Sequence, residues 1–230
     1  MGVEILEELG AKPSISEERG LALIGNTDLM VFSPGVSTAG FAEIRMARAN
    51  PNRKIIATTI DQKGLEFARS IIKQVGLEGQ IETRNEDLRS GWNYPNEFFD
   101  FIYARLVLHY LSAQDLDKVL AGFEKSLKPR GRTFIVVRSQ RNVDSDDPNN
   151  SYDPETKLTT VSYRGEDGTV TGVGTRYFHT PESIGDHVEE AGLKIDGVEE
   201  YQERLYKDFM RREVSPRVDH VIEVVASKPE

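Results

Sequence analysis

The chain contains no cysteine, so disulfides, thiolate nucleophiles and cysteine-ligated metals are excluded. It has no apolar run approaching the ~20 residues of a membrane-spanning helix. The opening "MGVEILEELGAKPS" lacks the apolar centre of a secretory leader and the Ser or Thr that an N-myristoylation signal requires, so neither is expected. Positive charge is scarce: 29 Lys and Arg stand against 38 Asp and Glu, a net charge of −9. That balance disfavours nucleic acid as a partner through a chain-wide basic surface. The one basic cluster, Arg204, Lys207, Arg211, Arg212 and Arg217, reads as a solvated helix face and loop. The four histidines, His109, His179, His187 and His220, are scattered without ligand spacing, so no metal is assigned. By these absences a cytoplasmic protein, with no membrane partner, is the expectation.

What is present is an alternation of two periods. "LMVFS" (29–33), "IIATTI" (55–60), "QIETRNED" (80–87), "FFDFIYA" (98–104) and "TFIVVRS" (133–139) read as strands. Between them lie helical spacings over 40–49, 63–76 and 113–127, the last with Ser112 as its N-cap. The segment "LKPRGR" reads as the stop and turn after that helix. Short loops between alternating strands and helices imply right-handed βαβ crossovers and a parallel sheet covered on both faces. After the fifth strand the pattern changes. Residues 140–158 are polar and read as a loop, and 159–178 as a β-hairpin with its turn at "GEDG". "TPESIGDHVEEAG" reads as a helix capped by Thr180 with Pro181 in first position. "LKIDGVEEY" and "DHVIEVVASK" read as two closing strands, antiparallel to each other. The expectation is an α/β, Rossmann-like, doubly wound, mostly parallel seven-stranded sheet with helices on both faces. Its division is an N-terminal helical segment (1–28) and one domain (29–230), with 140–178 as a loop and hairpin insertion. Ser14 or Ser16 is expected to cap a helix in the first segment.

The block "FFDFIYARLVLHYLSAQDLDKVLAGFEKSLKPRGRTFIVV" resembles the class I S-adenosylmethionine (SAM)-dependent methyltransferases of the small-molecule type. "LEFARSIIKQVGLEGQIETRNEDL" and "TPESIGDHVEEAGL" are similar to other segments of that family. The resemblance covers roughly residues 29–140, and the chain's end more loosely. It implies SAM as cofactor and a small-molecule methyl acceptor, with a homodimer as a candidate assembly. Ligands in such sheets lie beyond the carboxyl ends of the strands, where "SPGVSTAG" falls.

That loop departs from the family's pattern, D-x-G-x-G-x-G. Aligned without gaps the chain gives Ser33, Gly35, Ser37 and Ala39: one glycine of three, and no aspartate. Glycine there permits positive φ and close approach of the ligand. A left-handed backbone at Ser37 would cost on the order of 1 kcal/mol, and Gly40 could supply freedom one place later. The ribose acid at the end of strand two is replaced by Thr59. Asp61, two residues on, could reach the ribose or equally cap the helix that follows. Asp87 aligns with the acid near the adenine amino group and reads alternatively as a turn cap. Leu88 beside it, and Ala104 at the end of strand four, complete the cofactor candidates. Trp92 reads as an adenine cover or a loop anchor.

Methyl transfer is an in-line displacement that needs positioning and exclusion of water more than acid–base groups. The resemblance places Tyr103, Arg105, His109 and Tyr110 on the acceptor side. His109 could act as a base, or pack at a helix edge; Arg105 could bind an acidic acceptor, or pair with a carboxylate. Arg138 and "RYFHT" (176–180) have the same two readings. The competing function is a methyltransferase-fold binding or scaffolding subunit with SAM binding lost or altered. A nicotinamide dehydrogenase is a poor third, because no G-x-G-x-x-G follows the first strand.

Overall fold

The computed structural model describes residues 12–36, 38–142, 145, 147–164, 169–206 and 213–230. Ser37, the turn "GEDG", the first half of the N-terminal segment, and Lys207, Arg211 and Arg212 of the basic cluster therefore lie outside the described residues.

Among the described residues there are five α-helices and ten strands, alternating through most of the first half of the chain. The N-terminal helix α1 (Ile15–Leu23) precedes β1 (Met30–Pro34), α2 (Phe41–Ala49), β2 (Lys54–Thr59), α3 (Gln62–Gln74), β3 (Ile81–Asn85) and β4 (Phe99–Arg105). Then come α4 (Ala113–Ser126), β5 (Leu127–Arg138), β6 (Ser151–Tyr152), β7 (Thr159–Arg164) and β8 (Val170–Arg176). The chain closes with α5 (Pro181–Glu190), β9 (Lys194–Glu203) and β10 (Asp219–Ser227). Seven strands form one sheet in the order β3-β2-β1-β4-β5-β10-β9, and β6-β7-β8 form a small separate sheet. Strands β1 to β5 pair in parallel, whereas β10 runs antiparallel to both β5 and β9. The order reverses between β1 and β4, so the switch point falls at the loop after β1.

Strand period two divides the core into two layers. Phe32, Ile102, Ala104, Ile135 and Val137 face α4 and α5, through Leu116, Leu120, Phe123, Ile184 and Val188. Their neighbours Val31, Phe101, Tyr103, Phe134 and Val136 face the other side, among Phe41, Ile44, Ala68 and Ile72 of α2 and α3. Leu21 and Leu23 of α1 pack on that second layer. Helix α1 approaches so closely that a Cβ on Gly20 would lie 2.6 Å from the Tyr103 ring.

The expected caps are largely in place. Ser112 accepts from the Asp115 amide, and Thr180 forms a reciprocal box with Ser183. Ser14 does occupy the N-cap of α1, but its hydroxyl makes no cap and instead accepts from Arg105 Nη2 at 2.6 Å. "LKPRG" is not a turn between elements as expected. It is drawn into β5 as a bulge: the register jumps from Phe99 opposite Leu127 to Phe101 opposite Arg132, with Arg130 at φ 63°. The segment pairs outward instead, Arg130 and Gly131 exchanging backbone bonds with Lys228.

Candidate functional site

At the carboxyl ends of β1 to β4 lies a cleft of about 440 Å³, within the size range of small-ligand pockets. Four loops build it: Gly35–Val36 after β1, Thr58–Asp61 after β2, Glu86–Arg89 after β3, and Leu106, Val107, Tyr110 and Leu111 after β4. Thr175 of β8 reaches the rim from the small sheet. The first three loops are tied together through β2. Val36 donates its amide to the Thr58 carbonyl at 2.7 Å, and Glu86 donates to Thr59 at 3.1 Å.

The loop after β1 keeps left-handed backbone at Ala39, where the pattern has a glycine. Gly35 has φ 71°, and a Cβ there would lie 2.7 Å from Val107 Cβ, so glycine is required both by conformation and by the neighbouring loop. Ala39 stands at φ 59°, ψ 9°, at a strain of about 1 kcal/mol, and Gly40 follows at φ 71°.

The polar groups face the cleft from adjacent strand ends. Asp61 is the N-cap of α3: its Oδ1 accepts from the Lys63 amide at 3.1 Å, while its own amide donates to Thr59 Oγ1 at 3.1 Å. Asp87 caps the following 3-10 turn and grips Arg89, with Nη2 to Oδ2 at 2.7 Å and Nε to Oδ1 at 2.9 Å. The hydrogen bond from the Arg89 side chain is the main reason the Asp87 carboxyl is held below its ordinary range. Both capping roles are thus present, and Thr59, Asp61, Asp87 and Leu88 all line the cleft with Gly35. Glu86, a third carboxylate, accepts from Tyr94 Oη at 2.8 Å. Ile60 is 63% exposed at the mouth.

Other sequence candidates fall elsewhere. Tyr103 and Arg105, two apart on β4, share the face under α1 rather than the cleft. Tyr103 stacks on Phe134 with centroids 5.5 Å apart. Arg105 donates Nε to Ser16 Oγ at 2.6 Å and lies 3.6 Å from Glu203 Oε1. Burial by itself lowers the Arg105 guanidinium, but Tyr103, Glu203, Glu17 and Tyr201 outweigh that and raise it. The acceptor-side placement of these two residues is corrected accordingly. His109 is corrected as well. It is 1% exposed, and neither ring nitrogen has a hydrogen-bond partner among the described residues. Burial, reinforced by Arg138, Arg176 and His179, pushes its imidazole well below 6.5. Ala104 is buried in the α4–α5 layer, Ala39 packs under α3, and Ser33 bonds to Glu43; none of the three lines the cleft. Of the acceptor-side group only Tyr110 does, 47% exposed with the Arg176 guanidinium 4.2 Å from its ring centroid.

The two-way readings resolve toward packing. Trp92 is a loop anchor, edge-on to Phe32 at 5.4 Å and tilted on Phe123. Arg138 pairs with Asp219, and Tyr177 and Phe178 are buried. Sequence reasoning passed over Ile60, Glu86, Arg89, Leu106, Val107, Leu111 and Thr175. All but Thr175 adjoin strand ends already recognised, which is the signal that could have found them; nothing in the sequence singles out Thr175. Among the described residues no group of three metal-ligating side chains occurs, and no helix is long and apolar enough to cross a membrane.

The residues present fit a nucleoside carrying a charged tail. Thr59 and Asp61 offer acceptors for hydroxyl donors, Asp87 an acceptor for an amino group, and Ile60 and Leu88 apolar surface for a flat ring. Three carboxylates against one guanidinium in the lining suit a cation.

Residues 35–131 match the family model described as a methyltransferase domain. A SAM-dependent methyltransferase from Methanosarcina mazei superposes with a TM-score of 0.68 at 15% identity, covering 90% of this chain and 95% of that one. The CcbJ methyltransferase from Streptomyces caelestis gives 0.69 at 12% identity, with 95% and 98% covered. The [4+2]-cyclase SpnF gives 0.62 at 16% identity, with 98% and 80% covered. No curated protein sequence matches significantly. Residues 35–131 are therefore similar to a methyltransferase domain, and the chain shares its fold with SAM-dependent methyltransferases of known structure.

Proposed function

We propose that this chain is a SAM-dependent methyltransferase that acts on a small-molecule acceptor. The observation that carries the reading is one continuous cleft. It joins Thr59, Asp61, Asp87 and Leu88 at one end to Tyr110, Leu111 and Thr175 at the other. When bound, SAM supplies an electrophilic methyl group on a sulfonium. Thr59 and Asp61 would hold the ribose hydroxyls, and Asp87 the adenine amino group, with Ile60 and Leu88 against the ring. Leu106, Val107 and Leu111 exclude water from the reacting end, and Tyr110, braced by Arg176, orients the acceptor. Since His109 is enclosed and neutral, an acceptor atom nucleophilic without a base, such as an amine nitrogen, fits best. Residues 29–230 act as one domain in this reading, with the small sheet as part of the acceptor wall.

The second reading is a fold reused without methyl transfer. It is favoured by the loop after β1, where Gly35 is the one glycine kept from the pattern and Ala39 stands at a glycine's place, and by Thr59 in place of the ribose acid; a structural neighbour described as a [4+2]-cyclase shares the fold. Titration calorimetry with SAM and S-adenosylhomocysteine decides between them. Binding at micromolar Kd is expected, weakened about 5- to 150-fold in Asp87→Ala by loss of a hydrogen-bond partner worth about 1–3 kcal/mol. No binding up to millimolar would reject the first reading, and unchanged affinity in Asp87→Ala would reject the adenine assignment.

A further inference from the structure

The residue that stands in place of the β1 acid is bonded to a buried acid on α2. Ser33, at the position where D-x-G-x-G-x-G has its aspartate, is 1% exposed and donates its hydroxyl to Glu43 Oε1 at 2.6 Å. Glu43 lies in the first turn of α2 and is fully buried. The two residues stand at the neck of the cleft loop: β1 delivers the chain into it at Ser33, and α2 takes it away at Glu43. Among the described residues between them, Gly35, Ala39 and Gly40 are left-handed. A buried carboxylate is costly unless it is hydrogen-bonded, and an apolar pair would fill the same neck without that cost. A short charge-assisted bond gives something an apolar pair does not, a fixed distance between strand end and helix start. Its position in the first turn also complements an α2 N-terminus whose N-cap, Gly40, supplies no side-chain bond.

We propose that Glu43 is the positioning residue of the cleft loop, a carboxylate relocated from β1 to α2 that holds Gly35, Val36 and residues 38–42 in the shape that receives the ligand. The inference rests on the SAM reading only for the identity of that ligand.

The test uses the full chain and three variants: Glu43→Gln, Ser33→Ala, and the relocation pair Ser33→Asp with Glu43→Ser. Three quantities are read: amide exchange over residues 34–42 without ligand, S-adenosylhomocysteine Kd by calorimetry, and Tm. Glu43→Gln is expected to speed loop exchange at least tenfold relative to β2 and α3, and to weaken S-adenosylhomocysteine at least tenfold. Ser33→Ala moves both in the same direction by less, and covers the case in which Glu43→Gln does not fold. The relocation pair restores both to within threefold of the parent. The proposal is overturned if loop exchange in Glu43→Gln rises no more than that of β2 and α3, or if the relocation pair fails to restore it. If the parent chain binds no S-adenosylhomocysteine, the SAM reading falls while loop exchange still decides the role of Glu43.

Discussion

Replacing Arg105 by Met separates the structural account of that residue from a catalytic one. The guanidinium is 11% exposed, donates to Ser14 and Ser16 at 2.6 Å each, and lies 3.6 Å from a Glu203 carboxylate with no exposure. Glu203 retains two donors without it, the Ser16 amide at 3.0 Å and the Ser16 hydroxyl at 2.8 Å. Methionine fills much of the volume, so the loss is chiefly electrostatic: a buried carboxylate stripped of its cation, about 3–5 kcal/mol. Adding Glu203→Leu removes the stranded charge but orphans the Ser16 amide, which leaves a residual loss of about 1–3 kcal/mol. Urea unfolding of the parent, the single and the double variant measures these values. S-adenosylhomocysteine titration in parallel should give Kd values within twofold of the parent, because Arg105 faces α1 and not the cleft. The reasoning is refuted if Arg105→Met leaves stability unchanged while binding or turnover collapses, or if the double variant is no more stable than the single.

Gly35→Ala places a methyl 2.7 Å from Val107 at φ 71°, so it should lose at least about 1–2 kcal/mol; Val107→Ala in the same chain should recover part of the loss, and no recovery in thermal unfolding would reject the contact. Ala39→Gly relieves about 1 kcal/mol of strain, but forfeits a buried methyl worth about 0.8 kcal/mol and adds roughly 0.5–1 kcal/mol of chain entropy. Its stability should therefore stay within about 1 kcal/mol of the parent with ligand affinity unmoved; a large gain in affinity would return Ala39 to the cleft. For His109 the folded imidazole sits well below 6.5, chiefly through burial. The unfolded state therefore binds the extra proton as pH falls below about 6.5. Stability falls with pH in that window, and His109→Asn should flatten the slope between pH 6 and 5 by about 1.4 kcal/mol per unit; superimposable slopes would contradict the burial argument. The same sign holds for His179, pushed down to about 3, chiefly by burial.

The sequence by itself determined most of the elements and their order; the exception is β6 (Ser151–Tyr152), which lies in the stretch read as a loop and adds a third strand to the expected hairpin. Hydrophobic period and punctuation are local, so β1 to β5, the helices between them and the caps at Ser112 and Thr180 were all legible. The cleft's location was legible too, because a doubly wound sheet puts it at the strand ends beside the small-residue loop. What the sequence left open was decided by contacts distant along the chain. Period two fixes that Tyr103 and Arg105 share a face of β4 opposite Ala104, yet not which face meets α1. That depended on Ser14, Ser16 and Glu203 converging on the guanidinium from both ends of the chain. "LKPRG" carries strong turn chemistry, and only the offer of pairing by Lys228 draws it into the sheet as a bulge. The missing aspartate of β1 registers in a linear reading only as a departure from the pattern, because a pattern of fixed spacing registers only what stands at that spacing. Glu43 stands ten residues later, and only the tertiary structure brings it to Ser33.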